Sequence, residues 1–146
     1  VHRLANARWF LGFVACGSVA SAVPPSYEVQ FLGARYTATA INELGSVVGN
    51  LDVDGTRLRA AISHNGLPFE LLPLPPGMET SRAHDINDEG VIVGAVCPNQ
   101  YVITQPLAAL WRPVGNSYEV ELLGVLTGDS YSSAYAINTQ GDVVGG

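Results

Sequence analysis

One phrase is written three times in this chain, and that repetition constrains the fold more than any other feature. "AINELGSVVG" occupies 40–49, "DINDEGVIVG" 85–94 and "AINTQGDVVG" 136–145. The copies align without gaps. Their asparagines, Asn42, Asn87 and Asn138, stand 45 and 51 residues apart. Glycines follow three residues later, at Gly45, Gly90 and Gly141, and again at Gly49, Gly94 and Gly145. A period of about 20–50 residues marks units that are stacked or set radially, because one such unit does not bury its apolar face alone.

The similarity extends outward. "SYEVQFLG" (26–33) precedes the first phrase and "SYEVELLG" (117–124) the third, with a looser "FELLPLPPG" (69–77) before the second. "RAAIS" (59–63) and "LAALW" (107–111) follow the first and second phrases. One unit therefore reads as four strands. In the first, Tyr27, Val29 and Phe31 alternate with Glu28 and Gln30, the period of a half-buried strand. The second is "TATAI" (37–41), "AHDI" (83–86) or "SAYAI" (133–137). The third is "SVVG", "VIVG" or "DVVG", and the fourth "RAAIS" or "LAALW".

The Asn-x-x-Gly between the second and third strands is a hairpin turn. Asparagine accepts a hydrogen bond from the backbone two residues on, and glycine takes the left-handed conformation that closes a type I turn with a bulge. Alanines cluster in the second strand (Ala38, Ala40, Ala83, Ala134, Ala136). Alanine has poor β-propensity, so close approach of neighbouring sheets is the expected reason. The expectation is an all-β fold of antiparallel four-stranded units, β-propeller-like, cut at about 26–68, 69–116 and 117–146. A stacked β-solenoid is the alternative, but it repeats at shorter periods with parallel strands, and tight turns favour antiparallel hairpins. The third unit stops after its third strand. A closed propeller takes at least four blades, so the array is expected to be incomplete, with an open edge suited to self-association.

"AINxxGxVVG", together with "AALW" and "LLGxLxG", resembles the HAF-type extracellular repeat of secreted bacterial proteins, over roughly residues 26–146. The family's His-Ala-Phe signature is replaced by Arg59-Ala60-Ala61 and Leu107-Ala108-Ala109. The resemblance implies an extracellular or envelope location and a repeat β fold. It implies no established activity and no catalytic residues.

Residues 1–22 read as a signal peptide. Arg3 and Arg8 precede the short apolar "WFLGFVACGSVA" (9–20), and Ala20-Ser21-Ala22 supplies a cleavage site. The apolar run is shorter than the roughly 20 residues of a membrane span. "FVAC" (13–16) offers the rival reading of a lipid anchor on Cys16, but phenylalanine stands where leucine is usual. The chain is thus expected to be exported, with residues 23–146 as the β-repeat domain. Removing the leader leaves five arginines against 13 acids, a net charge of −8, and there is no lysine. Clustered positive charge is what nucleic acid and anionic lipid select, and this composition excludes both as partners. Cys97 is then the one remaining cysteine, read as a small apolar residue at a strand end.

Few residues carry chemistry. Asn50, Asp52 and Asp54 before Gly55 have the opening spacing of a calcium loop. The twelfth position is Ala61 where a bidentate acid would stand, so a polar hairpin turn is the preferred reading. His84 and Asp85 are adjacent in a strand and point to opposite faces. His64 is read as an exposed turn residue. Glu119 and Glu121 share a strand face, the arrangement of paired acid–base carboxylates, and are read as solvated. Trp111 and Tyr131 are the candidate surface aromatics, with Trp111 favoured for the core. The conserved-looking letters within the chain, Asn42, Gly45, Asn87, Gly90, Asn138 and Gly141, are structural turn residues. No cofactor is expected. The reading is a non-enzymatic module for extracellular recognition or structure, with a carbohydrate or protein ligand. The alternative is a fragment of an extracellular propeller-type carbohydrate-active enzyme.

Overall fold

A computed structural model describes residues 34–99 and 105–146. The leader, Cys16 and the strand expected at 27–32 lie outside the described residues. Ten strands and no helix occur among the described ones. Strands β1 (Tyr36–Ile41), β2 (Ser46–Asp52), β3 (Leu58–His64) and β4 (Glu70–Leu71) form one sheet in sequential order. Strands β5 (Thr80–Ile86), β6 (Ile92–Cys97), β7 (Leu107–Val114) and β8 (Ser117–Gly124) form a second, and β9 (Ala134–Ile137) with β10 (Val143–Gly145) a third. Every pairing is antiparallel.

The all-β, antiparallel expectation therefore holds, with one correction. The described sheets do not close into a ring. The correction concerns phase: the sheets divide the chain differently from the units expected at about 26–68, 69–116 and 117–146. "YEVELL" before the third phrase is β8, the outer strand of the second sheet, and "EL" of "FELL" is β4 of the first. "RAAIS" and "LAALW" are third strands, not fourth. A strand pairs with its hairpin neighbour, and the short turn Gly115-Asn116 joins β7 to β8, while about nine residues separate β8 from β9.

The three phrases build the same hairpin. Gly45, Gly90 and Gly141 have φ of 75°, 79° and 85°, and their N–H groups donate to the carbonyls of Asn42, Asn87 and Asn138 at 3.0–3.1 Å. The side-chain bond differs from expectation. Each Asn Oδ1 accepts not two but four residues on, from the N–H of Ser46, Val91 and Asp142 at 2.8–2.9 Å. The amide thus closes the turn from beyond the glycine.

The other half of each amide reaches the next sheet. Asn42 Nδ2 donates to the Asn87 carbonyl at 3.0 Å, and Asn87 Nδ2 to the Asn138 carbonyl at 3.1 Å. Asn42 and Asn87 are buried, so these bonds form where an unpaired amide is costly. Asn138 is exposed and turns its Nδ2 to Asp142 instead.

Each innermost strand carries a bulge opposite the phrase's last glycine. The extra residues are Thr39, His84 and Tyr135. The bulge pushes a backbone carbonyl toward the partner strand. A Cβ on Gly49, Gly94 or Gly145 would overlap the carbonyl oxygen of Thr37, Arg82 or Ser133, respectively. This is why a valine strand ends in glycine three times.

Two apolar layers lie between the sheets. Val48, Ala60, Ile62, Ala83, Ile92 and Trp111 fill the first; Val91, Val93, Leu110, Ala134 and Ile137 fill the second. Ala83 and Ala134 are fully buried, so the expected close approach explains them, whereas Ala38 and Ala136 are exposed. Trp111 is wholly buried and its indole N–H donates to the Pro73 carbonyl at 2.8 Å. Bonds across the layers repeat as well: Ser81 Oγ accepts from Ala60 N–H and Ser132 Oγ from Ala108 N–H, both at 2.9 Å.

Asn87→Ala is expected to lower stability by about 2–4 kcal/mol in a denaturant titration, from two lost bonds and orphaned backbone groups; a loss of only a few tenths would show that the amide does not join the sheets. Gly94→Ala is expected to lose about 2–3 kcal/mol by overpacking against Arg82, while Gly146→Ala, with open space around it, leaves the midpoint in place.

Candidate functional site

The inner strands bring side chains together that are far apart in sequence. Thr39, the bulge residue of β1, donates from Oγ1 to the Ala83 carbonyl at 3.0 Å. Its equivalent in β5 is His84, whose Nδ1 lies 2.7 Å from the Ala134 carbonyl. A carbonyl only accepts, so Nδ1 carries the proton and Nε2 is left for another partner. The His84 ring also stacks on Tyr135, the third bulge residue, with centroids 5.5 Å apart and planes at 21°.

Asp85 does not pair with His84. Its Oδ1 accepts from Ile86 N–H and its Oδ2 from Ile137 N–H, each at 2.9 Å. The two neighbours act separately, as strand geometry requires. Asn50 Oδ1 likewise accepts from Ala83 N–H at 3.0 Å.

A cleft of about 440 Å³ opens at the end of the sheets away from the asparagine turns. Arg82, His84 and Tyr135 line it with Thr56, Thr80 and Ser133. Cys97 closes its inner wall. The thiol is buried, which pushes its pKa up, and the Thr80 hydroxyl and Arg82 charge oppose that shift. It is the small residue ending β6 that the sequence suggested. A second, shallower groove of about 350 Å³ runs over the three asparagine turns, where Glu43 N–H donates to Asp88 Oδ1 at 2.9 Å.

The residues with calcium-loop spacing do not converge. Asn50 points to the second sheet. Asp52 Oδ1 accepts from the N–H groups of Asp54 and Gly55, closing the β2–β3 turn. Asp54 holds Thr56 through Oγ1 at 2.8 Å and Arg57 through Nε at 2.6 Å. These are the bonds of an Asx-stabilised hairpin turn. Among the described residues, no three His, Cys, Asp or Glu side chains gather as a metal site would require.

The remaining candidates separate. Glu119 and Glu121 are exposed on β8, and Glu121 meets Arg112 at 3.8 Å in an exposed pair. Tyr131 is exposed, away from the cleft. His64 corrects its expectation. It ends β3, half-buried, with Nδ1 2.9 Å from the Ser46 hydroxyl. Arg59, standing at the repeat's histidine position, donates from Nη2 to the Leu72 carbonyl at 2.9 Å.

Sequence reasoning missed Arg82 and Tyr135. A signal was present: His84 and Tyr135 occupy the same column of the repeat. Residues in one column of a stacked repeat become neighbours across sheets. No protein-family model, curated protein or solved structure matches the chain.

Asp54 offers a pH test. Hydrogen bonds from the Thr56 hydroxyl and the Arg57 guanidinium hold its carboxyl well below the ordinary value of about 3.9. A depressed folded pKa contributes stability above the unfolded value and loses it as pH falls through the folded one. The Asp54 carboxyl resonance is expected to show no titration step between about pH 5 and 3; a step in that window would show that the turn bonds are not made in solution.

Proposed function

We propose that this chain is an exported β-repeat module, propeller-like in arrangement, that serves extracellular recognition or structure. It would belong with the HAF-type repeats it resembles. One observation carries the non-enzymatic reading. Polar side chains of the strands and turns that face the next sheet are used to join sheets: Asn42, Asn50, Ser81, Asp85 and Asn87 all bond backbone groups of a neighbouring sheet. Catalysis asks for side chains aimed at a reacting atom, and these are aimed at the fold. Propeller-like placement is supported by two four-stranded sheets and one two-stranded sheet, each built from consecutive strands, whose first strands, β1, β5 and β9, bond one to the next. The ligand is a carbohydrate or protein of the extracellular space. Arginine is scarce and lysine absent, which argues against nucleic acid.

Expression in a bacterial host with cell fractionation tests export. The chain is expected outside the cytoplasm with an intact mass that begins at Val23; a cytoplasmic chain retaining residues 1–22 overturns export. Affinity electrophoresis against a panel of soluble polysaccharides separates the rest. Retardation without new reducing ends is the expected result. Release of reducing ends would establish the carbohydrate-active enzyme reading instead, and mobility unchanged by every polysaccharide would remove glycan recognition.

A further inference from the structure

The cleft, lined by residues of all three sheets, has a charge opposite to that of the molecule around it. The chain carries 13 acids against seven arginines, yet among the described residues no carboxylate lines this cleft. Its charged side chain is Arg82. Ser81, which also borders the cleft, accepts from Ala60 N–H, and Ala83 joins the core. Arg82 lines the cleft beside Ala95, its partner on β6. Among the described residues no carboxylate lies within ion-pair distance of it; the two ion pairs present are Arg57–Asp54 and Arg112–Glu121. Asp85, next to His84 in sequence, is held by the N–H groups of Ile86 and Ile137, and Asp54, close to Thr56, is held by Thr56 and Arg57. Arg82 is half-buried, and burial raises the cost of leaving its charge uncompensated.

The neighbouring groups define what would compensate it. Tyr135 is 59% exposed and stacked on His84, which fixes the tyrosine ring as a flat apolar wall. A pyranose packs its C–H face on such a ring while its hydroxyls stay free to bond. The Ser133 and Thr56 hydroxyls stand in the same cleft, and His84 Nε2 is not used within the fold. A guanidinium fork matches a carboxylate with two parallel bonds. At about 440 Å³, the space is of the size that holds a small organic ligand.

We infer that this cleft binds a carboxylated sugar, a uronate residue, with its carboxylate on Arg82 and its ring face on Tyr135. The inference rests on the recognition reading and names its ligand class. Glycan-linked and free uronates share this chemistry, and chain length distinguishes them.

Isothermal titration of the purified chain with galacturonate monomer and trimer, the matching neutral galactose trimer, and acetate is the test. The uronate trimer is expected to bind at least tenfold more tightly than the neutral trimer, and acetate to give no measurable heat. Arg82→Gln should weaken uronate binding by about tenfold or more, the scale of one charge-assisted bond, and leave the neutral sugar unaffected. Tyr135→Ala, at an exposed position, should weaken both uronates with an unchanged denaturant midpoint. A monomer that binds as tightly as the trimer identifies the free sugar acid as the ligand. Equal affinity for acidic and neutral trimers overturns the uronate assignment but leaves glycan recognition standing. Acetate bound as tightly as the sugars, or full uronate affinity in a folded Arg82→Gln or Tyr135→Ala variant, overturns the site.

Discussion

The asparagine amide at the head of each hairpin holds this molecule in register. Its oxygen closes a turn inside one sheet, and at Asn42 and Asn87 its nitrogen caps a carbonyl in the next. Those two bonds are perpendicular in purpose. One sets local geometry and the other sets the separation of the inner strands. With that spacing fixed, the bulge residues reach across, Ser81 and Ser132 find the third strands, and alanine becomes the side chain that fits between. Apolar burial supplies most of the driving force, as in any such core, but it has no direction. The amides give it one.

Much of the fold was legible in three lines of text. Asn-x-x-Gly named the turn, and the valine runs named its strand. Alanine, out of place by propensity, named the crowding at Ala83 and Ala134. What the letters did not carry was phase. The segment before each phrase looks as much a part of that unit as the segment after, since sequence similarity is blind to which hairpin a strand joins. The trailing glycines were visible as a pattern, yet their cause lies in a bulge on the opposite strand, a non-local fact. The same bulge hid the cleft. Strand alternation correctly kept His84 and Asp85 apart, but it gave no reason for His84 to meet Tyr135, 51 residues on.

The polar side chains divide their labour by end of the sheet. Near the turns, the amides of Asn42 and Asn87 and the carboxylates of Asp85 and Asp88 bond backbone groups, largely of a neighbouring sheet. At the opposite end, among the described residues, Arg82 has no acid partner, and His84 and Tyr135 stack with His84 Nε2 unused. Thr39, His84 and Tyr135 share one structural position, which carries three unrelated chemistries without disturbing the hairpin that follows.

A further consequence follows from where the joint is written. The donor that reaches forward is the side chain of an asparagine, and the acceptor it meets is the main-chain carbonyl of the next asparagine. Plug and socket therefore belong to one residue. Duplicating the DNA for a single unit copies both halves at once, and the new unit arrives already compatible with its neighbours on either side. Such a chain lengthens by tandem copying without inventing an interface, and its asparagine joints reach from the earlier unit to the later.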